Sequence, residues 1–209
     1  IAANTNGAGA EGFSNSGTFT ATGSTINLNG SSAQTMSGAT SFNNLTLNNS
    51  AGLTISNNET VSGTLTLTSG KIITDSNTLI ITSTGTVSGG SSTRYIIGNL
   101  QRFAATGATS ITFDVGNNSN YDPLTVAFGS VTVAGNLTAK VTSGEHANNA
   151  TSTLNSSKNV NAYWTLTNSG ITFDSYSATF TFTSGDLDSS ANTSQFFIGK
   201  YNDGWTFPT

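Results

Sequence analysis

Paired acids are the first feature of this chain that could do chemistry. The tetrapeptide ITFD occurs twice and ends at Asp114 and Asp174, and glycoside hydrolysis uses two carboxyl groups about 5 to 9.5 Å apart. Aspartates at the ends of strands, however, usually cap turns by accepting hydrogen bonds from nearby backbone. We therefore predict that the chain has no catalytic residues and is not an enzyme.

An acidic loop, GDLDSSANTSQFF, offers the best position for a metal ion. Asp186, Asp188 and Ser190 lie at alternate positions, the spacing with which a calcium loop arranges its oxygen ligands. The sixth position is Ala191 where such loops need glycine, and the twelfth is Phe197 where a bidentate glutamate would lie. These departures favour a solvated turn, so calcium is a weak prediction and no other cofactor is expected.

The chain contains one histidine, His146, and no cysteine. His146 follows Glu145 in a polar loop, where a solvated side chain is the ordinary interpretation. A catalytic triad needs an oriented imidazole beside a nucleophile, and a zinc site needs several nitrogen or sulfur ligands. The sequence supports neither site.

Aromatic residues could instead stack on the faces of sugar rings. Tyr121, Tyr163 and Trp164 are candidates, but the strand context of Trp164 favours a place in the core. Tyr201 and Trp205 lie near a glycine turn and the C-terminus, so we predict that these two rings are the exposed sugar-stacking pair.

Sequons form the last group of candidate sites. Nine asparagines are each followed two places on by serine or threonine: Asn29, Asn44, Asn48, Asn58, Asn117, Asn136, Asn149, Asn155 and Asn192. Such sites carry glycans only if the chain is exported through a route that contains the transferase. Glycosylation is therefore a conditional prediction.

Charge is scarce, which excludes some partners. Of 209 residues only 8% are charged, the net charge is −4, and 34% are hydrophobic. The six basic residues are spread along the chain: Lys71, Arg94, Arg102, Lys140, Lys158 and Lys200. A nucleic-acid site needs a basic patch, and a spanning helix needs about 18 apolar residues in a row. We expect neither nucleic-acid binding nor membrane insertion.

Short alternating strands dominate residues 17–90. The apolar residues Leu45, Leu53, Val61, Ile72, Leu79 and Val87 begin strands about eight residues apart, with Asn, Gly, Ser and Asp between them. This spacing leaves no room for helices and indicates a β-solenoid-like region or a sandwich of short strands. Asparagine favours the solenoid, because it tolerates left-handed backbone angles and can bond to the next coil.

The pattern changes at residues 89–93, where we place a domain boundary. Longer strands with more aromatic residues then predict an antiparallel β-sandwich over residues 91–209, with a core that includes Trp164, Phe180, Phe182, Phe196 and Phe197. Residues 1–16 form a small, polar N-terminal arm that is either flexible or a strand donated to a neighbour. The fold class is thus all-β, with two β-sandwiches or one jelly-roll-like sandwich as the alternative.

Several segments resemble a known group of proteins. These are FNNLTL (42–47), TLTLTSG (64–70), RYIIGNLQRF (94–103), ITFDVGNNSNYDPLTV (111–126), NAYWTLTNSGITFD (161–174) and FFIGKYNDGWTF (196–207). They resemble repeat-rich secreted surface and adhesin-like proteins of Bacteroidota and related bacteria, which are often exported by the type IX route. The resemblance implies an extracellular or cell-surface module and brings no catalytic residues. The first residue, Ile1, agrees with removal of a leader during export.

Two functions follow as expectations. The first is an extracellular structural subunit that associates with copies of itself, through strand edges or strand donation, into a filament or surface layer. Scarce lysine and proline support it, because these residues normally protect edges. The alternative is an adhesin or carbohydrate-binding module. A polysaccharide-active solenoid would need a cluster of acids, whereas residues 17–90 contain only Glu59, Asp75 and Lys71 as charged residues.

Overall fold

The computed structural model describes residues 11–208, which are almost entirely β-structure. The first half contains β1 (Glu11–Ser14), β2 (Thr25–Leu28), β3 (Gln34–Ser37), β4 (Ser41–Phe42), β5 (Asn44–Asn48), β6 (Leu53–Ile55), β7 (Glu59–Val61), β8 (Thr64–Ser69), β9 (Ile72–Ile81) and β10 (Thr86–Ser88). The second half contains β11 (Ile96–Ala104), β12 (Gly107–Phe113), β13 (Val115–Gly116), β14 (Leu124–Val133), β15 (Gly135–Ser143), β16 (Ala162–Ser169), β17 (Thr172–Phe173), β18 (Tyr176–Phe180), β19 (Lys200–Tyr201) and β20 (Trp205–Thr206).

The first half is a β-solenoid of about five turns with three faces. One face stacks β2, β5, β8 and β10 in parallel, and a second stacks β1, β3, β6 and the first part of β9. The third face stacks β4, β7 and the second part of β9. The predicted solenoid is thereby confirmed.

Each coil is about 20 residues long, and equivalent side chains lie above one another. Ile26, Leu45, Leu65 and Val87 are in register, at steps of 19, 20 and 22 residues. The first three are buried and Val87 is half-buried. Because successive strand residues leave opposite faces, the alternating threonines point away from this apolar column.

Coil corners require special backbone angles. Gly98 interrupts the pairing of β11 with β9 and has φ +108°, a region that L side chains rarely adopt. A Cβ at this position would lie 2.2 Å from Thr74 Oγ1, whose hydroxyl accepts a hydrogen bond from Asn99 N at 2.7 Å. Glycine is therefore needed here for both the angle and the close approach.

Several asparagine side chains join neighbouring coils, and two of them do so by accepting hydrogen bonds from the backbone of the next coil. The backbone N–H of Thr64 donates to Asn44 Oδ1 at 2.8 Å, and that of Thr78 donates to Asn58 Oδ1 at 2.8 Å. Thr64 and Thr78 each lie one residue before the ladder with the preceding coil, which begins at Leu65 and Leu79, so their N–H groups donate to these side-chain oxygens instead.

The N-terminal end of the solenoid is covered by three phenylalanines. Phe13, Phe19 and Phe42 form a cluster with ring centroids 5.2 to 5.7 Å apart. Within the predicted arm, β1 pairs in parallel with β3 of the same chain. Residues 1–10 of that arm lie outside the described residues, so strand donation stays a prediction.

The second half continues the solenoid sheet before it changes direction. β11 pairs in parallel with β9 across the predicted boundary at residues 89–93, and it also pairs antiparallel with β15, which in turn pairs with β16. A second sheet contains β12, β14, β17 and β18. The division of the chain into domains at this boundary stays a prediction.

The two sheets of the second half face each other. Trp164 of β16 contacts Phe180 of β18, with ring centroids 5.0 Å apart, and the core between the sheets includes Phe113, Leu124 and Val126. The antiparallel part of the fold prediction is confirmed.

Three of the five predicted core residues lie outside the core. Phe182 and Phe196 are half-buried and contact each other, with ring centroids 5.9 Å apart. Phe197 is 56% exposed, because it follows a short 3₁₀ turn, Thr193–Gln195, and lies outside both facing sheets. Within residues 11–208, no helix is long and apolar enough to cross a membrane.

Candidate functional site

The acidic loop does not bring its predicted ligands to one point. Asp186 is buried, whereas the Asp188 carboxylate accepts hydrogen bonds from Asn159 N at 3.0 Å and Asn161 Nδ2 at 2.8 Å. These bonds lower the pKa of Asp188. Ser190 is exposed with φ +63°. The two carboxylates belong to separate hydrogen-bond networks, and calcium binding stays a prediction.

Asp186 instead lies in a network that the sequence did not indicate. Its Oδ1 accepts a hydrogen bond from Asn120 Nδ2 at 2.7 Å, and its Oδ2 accepts from Thr183 N and Thr183 Oγ1, both at 2.9 Å. Burial opposes the charge of Asp186, but the bonds from Thr183 and Asn120 bring its pKa below the ordinary value. Asp186 is therefore the ionised member of this network.

Asp122 is the second buried acid of the network. It is 0% exposed, and its Oδ2 accepts a hydrogen bond from Asn117 Nδ2 at 2.9 Å. Burial, followed by the charge of Asp186 and a hydrogen bond to it, raises the pKa of Asp122 to about 7. Two adjacent carboxyl groups cannot both ionise cheaply, so Asp122 is protonated below that pH.

The network joins three parts of the chain. Trp164 Nε1 of β16 donates to the backbone oxygen of Asp122 at 2.8 Å, and Tyr95 Oη donates to the backbone oxygen of Asn117 at 3.0 Å. The loop of residues 117–123 is thereby fixed between the solenoid end and the antiparallel sheets. The hydrogen bonds described here all join the loop to other parts of the chain, although Asp122 Oδ1 is buried without a hydrogen-bond partner.

Asp114 and Asp174 do not form a two-carboxylate site. Asp114 follows Phe113, which pairs with Leu124 at one end of β14, whereas Asp174 follows Phe173, which pairs with Val131 near the other end. At about 3.3 Å per residue, some 20 Å of strand separates them, far beyond the separation that glycoside hydrolysis uses.

Each of these two aspartates has an ordinary local role. Asp174 accepts a hydrogen bond from Ser130 N at 2.7 Å, which lowers its pKa. Asp114 accepts a hydrogen bond from Tyr121 Oη. Burial and this bond raise the pKa of Tyr121. Tyr121, one of the predicted sugar-stacking candidates, thus already uses its hydroxyl group in a bond to Asp114.

An aromatic cluster surrounds the single histidine. The His146 ring lies 5.1 Å from Tyr163, 4.9 Å from Tyr201 and 5.4 Å from Trp205, measured between centroids. Trp205 Nε1 donates to Asn148 O at 3.0 Å, which fixes the short hairpin of β19 and β20. Tyr201 is 38% exposed, while Trp205 is half-buried. The structure thus brings the predicted sugar-stacking pair together, with Tyr201 as the more exposed ring.

The sequons differ in exposure. Asn48, Asn58, Asn155 and Asn192 are exposed, whereas Asn29, Asn44 and Asn136 are half-buried. Asn117 and Asn149 are buried, and their Nδ2 atoms donate to Asp122 and Glu145. A glycan at either buried position would have to replace these bonds.

Sequence reasoning missed Glu59, although a signal was present. Glu59 is two residues from the buried Val61 in β7, so the period of two places both side chains on the same face. Glu59 is 0% exposed, and burial raises its pKa to about 7, against the effect of a hydrogen bond from Thr40 N. No such signal existed for Asp122, whose pKa is raised by burial and by Asp186, 64 positions away.

Comparison with protein families, with curated proteins and with solved structures gives no match.

Proposed function

We propose that the chain is a structural subunit of an extracellular or cell-surface filament or layer, and that it associates with copies of itself along open sheet edges. The chemistry of these edges carries the proposal. The strands at the ends of the three larger sheets and of their side branches are β1, β2, β4, β10, β12, β13, β16, β17 and β18. Among the described residues, these end strands contain one charged residue, Glu11, and no lysine or proline.

Protected edges normally carry charge, proline or bulges, because unpaired N–H and C=O groups invite another strand. β16 is the longest of these edge strands, with eight residues, and it ends a ten-stranded sheet. Its exposed side chains include Thr165, Thr167 and Asn168. An uncharged edge strand of this kind can pair with the same strand of a second copy, since the pairing places no like charges opposite each other.

The strands nearest the two ends of the described chain favour edge pairing over strand donation, because their pairing partners lie within the same chain. Glu11–Ser14 pairs with β3, and Lys200–Tyr201 pairs with Trp205–Thr206, in both cases within the same chain. Edge pairing leaves these intramolecular contacts intact.

The double substitution Thr165→Lys with Thr167→Lys tests the proposal. Two ammonium groups on each β16 would face those of the second copy, so we expect self-association to weaken by about tenfold or more. Sedimentation velocity over a concentration series, with negative-stain microscopy, measures assembly. Ser156→Lys with Ser157→Lys, in an exposed loop, adds the same charge as a control. A wild-type protein that stays monomeric at high concentration, or equal assembly of both variants, would contradict the proposal.

A second candidate function is sugar binding at the His146 cluster. Its support is the exposed Tyr201 ring, which Trp205 and His146 hold in place. An aromatic face with polar neighbours such as Asn202 suits the apolar face and hydroxyl groups of a neutral sugar.

A glycan array, followed by NMR titration with the best neutral oligosaccharide, tests this candidate. Tyr201→Ala is expected to abolish binding, whereas Tyr176→Ala removes another exposed ring, 42% exposed, and should preserve it. An array without any signal, or binding that survives Tyr201→Ala, would eliminate sugar binding at this cluster.

A further inference from the structure

A polar ladder links three successive coils at the N-terminal end of the solenoid. Asn15 Nδ2 donates to Thr40 Oγ1 at 3.0 Å, and Thr40 N donates to Glu59 Oε2 at 2.9 Å. Thr60 N also donates to Thr40 O at 2.9 Å. The ladder therefore connects the loop after β1 to β7, two coils further along.

Glu59 is the titratable member of this ladder. Its side chain is 0% exposed, and Oε1 has no hydrogen-bond partner. In register with Glu59 on β9 lies the apolar Leu79. The strands β4 and β9, which pair with β7, contain one titratable side chain, Asp75, and it is exposed at a coil corner. An ionised Glu59 would thus be a buried charge without a counter-charge, a costly state.

Burial accordingly raises the pKa of Glu59 to about 7, although the hydrogen bond from Thr40 opposes the rise. In the unfolded chain its pKa has the ordinary value of 4.5. The folded coil then binds a proton that the unfolded coil loses, so this contribution to stability is complete below pH 4.5 and is lost as pH rises through about 7.

We propose that Glu59 is a protonation switch for the N-terminal coils. Its neutral carboxyl group can stay buried beneath the ladder. Its ionisation draws water to the unpartnered Oε1 against the bond from Thr40 N, which favours the charged form, and the entry of water separates the coils and releases β1 with Asn15 from β3. Release uncovers the edge of β3 at the end of the ten-stranded sheet opposite β16. This inference is independent of the proposed self-association, since it concerns the stability of a single chain.

Amide hydrogen exchange, measured by mass spectrometry at pH 5, 6, 7 and 8 and corrected for intrinsic rates, tests the switch. In the wild type the opening constant of residues 11–42 should rise by about five- to sevenfold per pH unit between pH 5 and 7, and then level off. Peptides from residues 124–143 serve as an internal reference. Glu59→Gln keeps a neutral side chain at every pH, so its opening constant should stay flat.

Asp203→Asn removes an exposed carboxylate from the C-terminal hairpin and should behave like the wild type. Opening of residues 11–42 that does not depend on pH in the wild type, or a pH dependence that persists in Glu59→Gln, would overturn the switch. If Glu59→Gln does not fold, the carbon-13 shift of the Glu59 carboxyl group in the wild type decides the question. A titration midpoint near 7 supports the switch, and one near the ordinary 4.5 overturns it.

Discussion

The solenoid and the antiparallel half place polar groups in the interior in different ways. The solenoid repeats one apolar position from coil to coil, as with Leu45 and Leu65, and Glu59 is the buried acid among its described residues. The antiparallel half buries Asp122, Asp186 and Asn117 together. Parallel stacking gives each side chain neighbours from equivalent positions, so one pattern serves every coil. In the second half, loops distant in sequence supply unlike partners to each other.

The surfaces of the two halves differ as well. The large hydrophobic side chains that are exposed among the described residues all belong to the second half: Val133, Tyr176, Phe197, Ile198, Tyr201 and Phe207. The solenoid surface carries threonine, serine and asparagine instead. Sugar stacking at Tyr201 and edge pairing at β16, the longest of the edge strands, therefore both concern the second half.

A substitution in the repeated apolar column of the solenoid should cause the largest loss of stability. Leu65 is 0% exposed between Leu45 and Val87, so Leu65→Ala should lower the free energy of unfolding by about 3 to 4 kcal/mol. Thr68→Ala, at an exposed position of the same strand, should change it by less than about 0.5 kcal/mol. Urea denaturation measures both, and equal midpoints would refute a tightly packed column.

A substitution of Gly98 at the coil corner should destabilise the protein nearly as much. Gly98→Ala forces an L side chain to φ +108° and brings its Cβ within 2.2 Å of Thr74 Oγ1, so we expect a loss of about 2 to 3 kcal/mol. Gly23→Ala is the matched control, because Gly23 also has a positive φ, +66°, but nothing lies within 4 Å of the added Cβ. Its loss should be about 1 kcal/mol, and thermal unfolding that showed equal losses would exclude the steric contact.

In the antiparallel half, the buried pair of Asp122 and Asp186 should make the stability of the protein depend on pH. Because the pKa of Asp122 is raised to about 7, the folded state binds a proton that the unfolded state loses, and stability falls as pH rises from about 4 to about 7. Asp122→Asn should remove about 1 to 2 kcal/mol of this fall between pH 5 and 7.

The measurement belongs in a Glu59→Gln background, since Glu59 titrates in the same range. Denaturation curves at pH 5, 6, 7 and 8 suffice. If single and double variants showed the same slope with pH, Asp122 would not hold the proton assigned to it.

The bonds between coils should give the smallest effect. Asn58 is exposed, and its Oδ1 accepts one hydrogen bond from Thr78 N. Asn58→Ala should therefore cost about 0.5 to 1 kcal/mol. Asn48→Ala, at the exposed end of β5, should cost less. A larger loss at Asn48 than at Asn58 in chemical denaturation would contradict the role given to these bonds.

Periodicity made the solenoid predictable but gave no information about the acid network. Leu53, Val61 and Ile72 are buried as the alternation requires, because strand geometry alone sends alternate side chains to one face. The same rule, applied to polar residues, would have placed Glu59 inside. Asp122 follows no such rule, since a turn residue before proline is ordinarily solvated.

The sequence by itself determined the short alternating strands, the buried face of each and the scarcity of charge in them, because these depend on residue types at spacings of two to eight positions. Only the tertiary structure decided that Asp122 interacts with Asp186, and that Asp114 and Asp174 lie at opposite ends of β14. It also decided that the ring of His146 contacts those of Tyr163, Tyr201 and Trp205. Such encounters join residues far apart in the chain, and they depend on how loops close over sheets, which local periodicity does not encode.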